Sequence, residues 1–329
     1  MRFLLDDEQR AFARSLDDML TAAGTPAVVR AWAAGDTAPG RALWTRLAEA
    51  GVFALAVPER HDGLGPLPVE LAVAFTELGR HAVPGPLTET VAAAVFLARL
   101  GDDAAACAWL PGIASGKTVA SLCVLGEDSP YALDADMADA VLVVDDDTVR
   151  LADGAGPVQP SADPARRLAR PLGGTVLARA PEVAAAAAYA ADAAALMTAA
   201  QALGVGRTLL AETVSYARQR TQFGVAIGSF QAVKHRLADT LIALEFAQPL
   251  VHGAALAVAR DDPASGREIA AAKVAACEAA HTAARSALQI HGALGYTEEL
   301  DLSLWIRKAR ALRSAWGTPA ACRARVLAV

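Results

Sequence analysis

The sequence RTQFG at residues 220–224 ends one long helical pattern, and FQ at residues 230–231 opens the next. A second turn, QIHGALGY at residues 289–296, ends a third helical pattern in the same C-terminal region. Taken alone, the first turn is explained by an ordinary helix end, with Gly224 as the capping glycine and Arg220 beside the last carbonyl groups. The occurrence of both turns, in this order and at this spacing, is more specific than either turn alone.

The region from residue 181 to the C-terminus has helical periodicity throughout. Pro181 followed by an acid marks the start of its first helix, in which Gly204 and Gly206 allow a neighbouring helix to approach closely. Ser229 is a favourable N-cap for the second helix. The second helix is predicted over 229–260, a third follows the turn at 262–266 and ends at Gly292 and Gly295, and shorter helices are predicted over 300–314 and 319–329. Long helices joined by short turns predict an antiparallel four-helix bundle.

The first part of the chain divides into a helical and a strand-rich segment. Residues 1–112 alternate helical patterns with short turns, and the pattern changes near Pro111-Gly112. Strands are predicted at 119–125 and around 176–177, and residues 141–151 predict a hairpin that turns at Asp145-Asp146-Asp147. The chain is therefore predicted to be mainly α, with a helical domain over 1–112, a reduced β domain over 113–180 and the bundle over 181–329.

Composition excludes several classes of protein. The chain has 329 residues, of which 54% are hydrophobic, and this fraction is too high for a disordered protein. Its formal net charge of -6 gives no electrostatic footprint for nucleic acid or for an anionic membrane. The apolar, alanine-rich stretch 183–206 contains Asp192 and runs into a charged helix, so it predicts a buried helix of a soluble protein rather than a membrane span.

The cysteines and the N-terminus predict a cytoplasmic location. The four cysteines lie far apart without a CxxC pair, so neither a disulfide framework nor a zinc site is predicted. The first residues turn acidic at 6–8 and lack the apolar core of a signal peptide. His61 and His81 are candidates for a metal pair, and His235 and His291 are candidates for an acid and a base. None of the four histidines stands in an HxxxH or HxxE array, so neither site is predicted.

The two turns resemble those of the acyl-CoA dehydrogenase family. In that family an RxxFG turn, a glutamine at the start of the next helix and a QxxGGxG(Y/F) turn bind the adenosine and pyrophosphate of FAD across a dimer interface. The turn at 57–65, VPERHDGLG, is similar to the family's N-terminal helical domain. The chemistry suits this assignment, because arginine and side-chain amides donate hydrogen bonds to a pyrophosphate and glycines let backbone N–H groups approach it.

The resemblance implies a set of FAD-binding residues. Ala293 stands where the family has its second glycine, a change that a backbone contact tolerates. The implied set is Arg220, Thr221, Gln222, Phe223, Phe230, Gln231, Gln289, His291, Gly292, Ala293 and Thr318.

The positions of the family's catalytic base contain no acid in this chain. Family members remove the α proton of an acyl-CoA thioester with a glutamate while the flavin accepts hydride. The two positions at which relatives carry that glutamate are Trp316 and Ala194 here. Asp192 falls where the family has an aspartate that contacts CoA, but the usual partner arginine of that aspartate is Ala195. The resemblance therefore implies no catalytic residue in this chain.

The middle segment lacks the loop and the strand with which the family holds its own flavin ring. A short middle domain and a missing base resemble the short subunits of bacterial α2β2 acyl-CoA dehydrogenases, including those that act on steroid side-chain thioesters. The resemblance implies a longer partner subunit that supplies the base, an acyl-CoA substrate of lipid or steroid metabolism, and electron-transfer flavoprotein as the acceptor.

Three interpretations of the function remain open at this point. The chain is either this heteromeric subunit or a self-sufficient dehydrogenase, active as a homodimer or homotetramer, whose acid the sequence does not place. A third reading, from another class, is an assembly subunit that has lost flavin. The residues of the two turns count against the third reading, because scaffolding alone gives no reason for an arginine, glutamines and glycines at those positions.

Overall fold

The computed structural model describes residues 4–126 and 130–328. Its helices are α1 (Asp7–Ala23), α2 (Thr25–Ala33), α3 (Ala38–Glu49), α4 (Pro68–Arg80), α5 (Leu87–Arg99), α6 (Asp103–Ala114), α7 (Pro181–Gln219), α8 (Gln231–Ala259), α9 (Ser265–His291), α10 (Leu302–Leu312) and α11 (Pro319–Leu327). Helices thus dominate both ends of the described chain, and this confirms the predicted mainly α class.

The strands lie between α6 and α7, apart from one hairpin that follows α7. They are β1 (Ala120–Val124), β2 (Ala132–Leu133), β3 (Ala140–Asp145), β4 (Thr148–Leu151), β5 (Gly154–Ala155), β6 (Leu168–Ala169), β7 (Pro171–Leu172), β8 (Thr175–Arg179), β9 (Thr221–Gln222) and β10 (Val225–Ala226). One sheet has the order β1-β3-β4-β8, in which β1 runs parallel to β3 and the other neighbours are antiparallel. The hairpin expected around residues 145–147 is formed by β3 and β4.

The chain divides into two compact units, each of which draws on separate stretches of sequence. The bundle unit comprises residues 1–26, 72–82 and 198–329, and the sheet unit comprises residues 27–71 and 83–197. The bundle unit therefore contains α1, most of α4, the second part of α7 and α8–α11. The sheet unit contains α2, α3, α5, α6, the sheet β1-β3-β4-β8 and the first part of α7. The boundaries at residues 112 and 180 stay a prediction.

Glycines in α4 and α7 permit very close helix packing inside the bundle unit. A Cβ on Gly204 would lie 1.9 Å from the carbonyl oxygen of Thr76, and one on Gly79 would lie 2.0 Å from that of Gln201. A Cβ on Gly206 would lie 2.5 Å from Leu244 Cδ2. No real Cβ tolerates the first two distances, so the close approach expected at Gly204 and Gly206 is confirmed, and α4 is the neighbour at Gly204.

One local expectation was wrong. Ser229 does not cap the second bundle helix, since it ends a short 3-10 turn (Ile227–Ser229) and its hydroxyl donates to the Ala226 carbonyl oxygen at 2.7 Å, while α8 begins at Gln231. Near Pro111-Gly112, where a change of pattern is predicted, α6 continues through both residues and ends at Ala114. The lack of a side chain is needed at Gly112, where a Cβ would lie 2.4 Å from Thr118 Oγ1.

Two helices, α7 and α8, have the length and apolar composition of a membrane span. The core helix of a soluble protein can have the same length and composition, and 61% of the most apolar stretch of α7 is buried within the protein. The interpretation of residues 183–206 as a buried helix stays a prediction that this burial favours.

The sheet unit contains a carboxyl group that is neutral at pH 7. Asp134 is fully buried, and its Oδ1 accepts a hydrogen bond of 3.0 Å from Trp32 Nε1. Its Oδ2 is buried without a hydrogen-bond partner among the described residues. Burial raises the pKa of Asp134 to about 8, against a hydrogen bond from Trp32 that acts to lower it. Folding therefore keeps on this group a proton that an unfolded aspartate releases near pH 4.

We expect Asp134→Asn to stabilise the protein increasingly as the pH rises from about 4 to 8. The folded wild type loses stability through this window by up to about 1.4 kcal/mol per pH unit, because its unfolded state binds fewer protons than the folded state. Asparagine keeps the acceptor for Trp32 and does not titrate. The measurement is the free energy of unfolding in urea at several pH values.

Asp146→Asn is the matched control, since Asp146 is exposed and has φ 50° where Asp134 has φ 51°. Both substitutions place asparagine in the left-handed region, so only the buried site should give a difference that grows with pH. Equal pH profiles for Asp134→Asn and wild type would contradict the assignment of a neutral carboxyl.

Candidate functional site

The RTQFG turn forms a tight hairpin at the end of α7. The helix ends at Gln219, and β9 pairs with β10 so that Phe223 and Gly224 form the two-residue loop. Both loop residues have positive φ, 53° and 79°, as this class of hairpin turn requires. Gly224 is therefore a hairpin residue, and the explanation of this glycine as a helix cap does not apply.

The side chains expected to bind FAD at this hairpin are exposed. Arg220, Thr221 and Gln222 all face solvent, and Phe223 is 94% exposed. The Phe223 ring meets the ring of Phe230 edge to face, with centroids 6.3 Å apart. Gln231, which also belongs to the implied set, is exposed at the first turn of α8. The hairpin thus presents a guanidinium, amides and two aromatic rings on one surface of the bundle unit.

The QIHGALGY turn lies next to this hairpin. His291 ends α9, and its ring stacks on the ring of Tyr216 in the last turns of α7, with centroids 4.1 Å apart and an interplanar angle of 24°. The His291 Nδ1 lies 2.9 Å from the Ala287 carbonyl oxygen. The stack joins the end of α7 to the end of α9, and so it brings together two turns that are about 70 residues apart in sequence.

The structure separates the members of the second turn into two roles. Gln289, Gly292 and Ala293 are exposed, whereas His291 is buried and turned inward against Tyr216. Gly292 has φ 61°, and a Cβ built on it would meet no atom within 4 Å, as is also true of Gly224. Open space in front of both glycines is what a backbone contact to a bound anion needs.

These residues fit the pyrophosphate and adenosine half of a dinucleotide. Arg220 supplies a charged fork of donors, Gln222 and Gln289 supply amides, and Phe223 and Phe230 supply aromatic surface. The exposed positions of all five side chains leave them free to contact a group bound on this surface. Sequence reasoning missed Tyr216, because a tyrosine one turn before a motif has no distinctive spacing.

The two candidate base positions lie in different environments, and neither carries an acid. Trp316 is half-buried in the turn between α10 and α11, with φ 52°. Ala194 is fully buried on α7, and Asp192, two residues earlier on that helix, is half-buried. Thr318 lies two residues after Trp316 and is the N-cap of α11. Its Oγ1 accepts a hydrogen bond of 3.2 Å from the Ala321 N–H.

A buried lysine holds the turn that contains Trp316. Lys273 on α9 is 1% exposed, and its Nζ donates to the carbonyl oxygens of Leu312 at 3.0 Å and Gly317 at 3.3 Å. Its Nζ also lies 3.3 Å from Cys277 Sγ, and burial raises the pKa of that thiol. A buried cation whose acceptors are carbonyl groups fixes their positions strongly, because leaving the cation without acceptors is costly. Sequence reasoning missed Lys273, although it falls four residues after Ile269 on the apolar stripe of α9.

The bundle unit also contains a cleft of about 960 Å3 beside the stacked rings. Tyr216 and His291 line it, together with Asp17, Arg80 and His81. His81 Nε2 lies 2.7 Å from Asp17 Oδ1, and Arg80 Nη1 donates to Glu77 Oε2 at 2.8 Å. Burial raises the pKa of Glu77, while Arg80 opposes this. The side-chain atoms of Asp17, Glu77 and His81 that could bind a metal ion lie within 4.8 Å of one another. Arg80 already contacts both carboxylates.

The chain matches two families of domains over most of its length. Residues 6–117 match the family described as "Acyl-CoA dehydrogenase, N-terminal domain", and residues 184–328 match "Acyl-CoA dehydrogenase, C-terminal domain". Among similar proteins, the acyl-CoA dehydrogenase IpdE2 of Mycobacterium tuberculosis is 34% identical over 307 residues, covering 92% of this chain and 91% of IpdE2.

Solved structures share the fold over nearly the whole chain. The ChsE4-ChsE5 complex from Mycobacterium tuberculosis has a chain with a TM-score of 0.85 and 24% identity, covering 99% of this chain and 98% of that one. The Tcur3481-Tcur3483 steroid ACAD variant G363A has a chain with a TM-score of 0.83 and 24% identity, covering 97% of this chain and 96% of that one. Both support the predicted architecture of helical, reduced β and bundle segments.

We expect Lys273→Met to loosen the turn at residues 313–318 without unfolding the protein. The carbonyl groups of Leu312 and Gly317 lose their donor, so local opening should become about tenfold more frequent, which corresponds to roughly 1.4 kcal/mol of local stability. Hydrogen exchange of peptides that cover this turn measures the effect. Lys234→Met, at an exposed position of α8, is the control. Unchanged exchange in the turn would show that Lys273 does not hold it.

Proposed function

The chain belongs to the acyl-CoA dehydrogenase family, and from that premise we propose that it is the FAD-binding short subunit of a heteromeric dehydrogenase. It would bind FAD at an interface with a longer chain, and the longer chain would supply the catalytic base. When FAD is bound, its ring supplies the hydride acceptor for introducing an α,β double bond into an acyl-CoA thioester. The observation that carries this proposal is the pairing of exposed FAD-type turns with base positions that contain no acid.

The residues of the two turns support binding of FAD. Arg220 is exposed on the hairpin and Gln289 on the end of α9, and the Tyr216–His291 stack keeps these two ends together. Arg220 would pair with the pyrophosphate, and the backbone at Gly292 would donate to it. Thr318 stays a weaker member of the set, because its hydroxyl already caps α11.

The absence of an acid at both base positions supports a need for a partner. A tryptophan at position 316 and a fully buried alanine at position 194 offer no group that takes up the α proton. Asp192 lies two residues from position 194, and residues at that spacing point to different sides of a helix. Removal of the α proton is therefore assigned to another chain, and Asp192 is proposed only as a contact to CoA.

The surface of α8 supports association with another chain. Ile242, Phe246 and Leu250 follow each other at four-residue spacing and are 52%, 73% and 38% exposed. A stripe of large apolar side chains in solvent is unfavourable and marks an association surface. The stripe lies on the helix that Gln231 begins, so the FAD-type turns and the association surface are on adjacent parts of the bundle unit.

The identities of two structurally similar proteins support the heteromer and a steroid substrate class. One of these structures is a complex of two different proteins, and the other names a pair of proteins and a steroid acyl-CoA dehydrogenase. We propose a thioester from lipid or steroid metabolism as substrate, electron-transfer flavoprotein as acceptor and the cytoplasm as location. Neither nucleic acid nor a membrane is proposed as a partner, since the net charge is -6.

We expect the purified chain to carry flavin and activity only when it is combined with its longer partner. The test compares mass, flavin absorbance per protomer and turnover of an acyl-CoA for the chain alone, the partner alone and the mixture. Flavin and turnover in the single chain would favour the self-sufficient enzyme instead. A mixed assembly that is active without any contact between flavin and this chain would favour the flavin-free assembly subunit.

We expect Arg220→Gln to raise the dissociation constant for FAD of the mixed assembly by about 10- to 100-fold, or roughly 1.4–2.8 kcal/mol. The loss follows from removing a charge-assisted contact to the pyrophosphate, and flavin fluorescence on dilution measures it. Arg218→Gln is the matched control, because Arg218 is exposed in the last turn of α7 but points away from position 220. Equal affinities in the two variants would remove Arg220 from the site.

A further inference from the structure

A second group of positive charges lies on the bundle unit, on residues that the resemblance does not assign to FAD. It consists of Arg285 on α9, Arg310 on α10, Arg313 directly after α10 and Arg323 on α11. Glu278 is the carboxylate that pairs with this group: Arg313 Nε and Nη2 donate to its Oε1 at 3.0 and 2.8 Å, and Arg323 Nη2 lies 3.8 Å from the same oxygen. Glu278 thus contacts two of the four guanidinium groups, in a chain whose net charge is -6.

Two of these arginines have no acidic partner. Arg285 and Arg310 are exposed, and neither forms an ion pair or a side-chain hydrogen bond with another described residue. Arg310 and Arg313 lie at the C-terminal end of α10, where positive charge is favourable for the helix by itself. That explanation does not extend to Arg285, which lies inside α9, nor to Arg323 in α11.

The side chain of His281 lies at the centre of the group. Glu278, His281 and Arg285 follow each other at three- and four-residue spacing and therefore share one face of α9. The Nδ1 of His281 is buried and has no hydrogen-bond partner among the described residues. His281 as a whole is half-buried, so the solvent-exposed part of the residue consists of atoms other than Nδ1.

Burial lowers the pKa of His281, and Arg313 lowers it further, while Glu278 acts in the opposite direction. Arg285 and Arg310 add to the lowering. Arg285 follows His281 by four residues on α9, and Arg310 precedes Arg313 by three residues, so each lies one helical turn from a member of the group. These are the charged groups that face His281 from α9 and from α10 with its C-cap.

We propose that Arg285, Arg310 and Arg313 form, with His281, a binding site for a phosphate group such as a nucleotide carries. Arginine forks match the geometry of phosphate oxygens, and several forks from separate helices converge here. A phosphate would satisfy the two unpaired guanidinium groups and offset the repulsion among the four. This site does not depend on FAD binding at the two turns, because it contains none of the residues assigned to FAD.

Binding of a dianion at this site is coupled to protonation of His281. The negative charge favours imidazolium, so the pKa of His281 rises when the site is occupied. Affinity is therefore greater on the acidic side of the pKa of the free protein and falls as the pH rises above it. Sulfate is the right probe for this coupling, because it is tetrahedral and does not itself titrate near neutral pH.

The first experiment follows the six histidines of the full chain by NMR as a function of pH, with and without sulfate. We expect sulfate to raise the pKa of one histidine by about one unit, and His281→Asn identifies that signal. Arg285→Gln should weaken the effect at least about fivefold. Arg267→Gln is the matched control, because Arg267 is exposed on the same helix 18 residues earlier, which is five full turns and the same face.

The second experiment distinguishes the sources of the phosphate group. Adenosine 3′,5′-bisphosphate and FAD are each titrated against sulfate, with Arg310→Gln as the test variant and Arg267→Gln as the control. Competition by the bisphosphate assigns the site to a coenzyme A type of nucleotide, and competition by FAD assigns it to the flavin cofactor. Either result supports a phosphate site, provided that Arg310→Gln weakens it.

Three results would overturn the proposal. Sulfate that leaves the pKa of His281 unchanged would remove the site. Equal sulfate affinity in Arg285→Gln and Arg267→Gln would show that the arginine group is not specific. Displacement of sulfate by the longer partner chain but by neither nucleotide would identify the group as a protein-docking surface. In all three cases the FAD affinity of Arg220→Gln still tests the proposed function separately.

Discussion

Contact between backbones at small residues is the constraint on which the bundle unit depends. Gly204 and Gly79 place α4 against α7 at distances that no other residue permits, and Gly206 brings α7 close to Leu244 on α8 and Ala280 on α9. Because the helices approach so closely, the end of α7 comes within stacking distance of the end of α9 at Tyr216 and His291. The spatial relation of the two motif-bearing turns therefore follows from packing far from the turns themselves.

Buried ionisable side chains mark the places where this chain gives up stability for a fixed geometry. Lys273 lies in the core of the bundle unit and donates to carbonyl groups of the turn that holds Trp316. Asp134 lies in the core of the sheet unit and stays protonated, with Trp32 as its donor. An apolar side chain at either position would avoid the cost of desolvation, but it would not fix the backbone or the indole that these groups hold.

The chain combines retained binding chemistry with missing proton-transfer chemistry. The exposed hairpin, the open glycines and the unpaired arginines on α9 and α10 all favour anionic ligands. The positions from which family members remove a proton hold tryptophan and alanine. The surface proposed to bind FAD has no base at the family's two positions, and the apolar stripe of α8 is the surface proposed to associate with the chain that supplies one.

The sequence by itself determined the helical class, the hairpin of β3 and β4, the close approach at Gly204 and the family. These features depend on local periodicity, on turn chemistry or on motifs at fixed spacing, all of which are visible along one chain. Only the tertiary structure decided that Gly224 belongs to a hairpin, that Ser229 is not a cap, and that His291 turns inward onto Tyr216. It also decided that Lys273 is buried and that arginines from the end of α10 and from α11 meet Glu278, one turn before His281 on α9. Burial and the convergence of charges depend on which helices pack together, and a single sequence records no such contacts between distant residues.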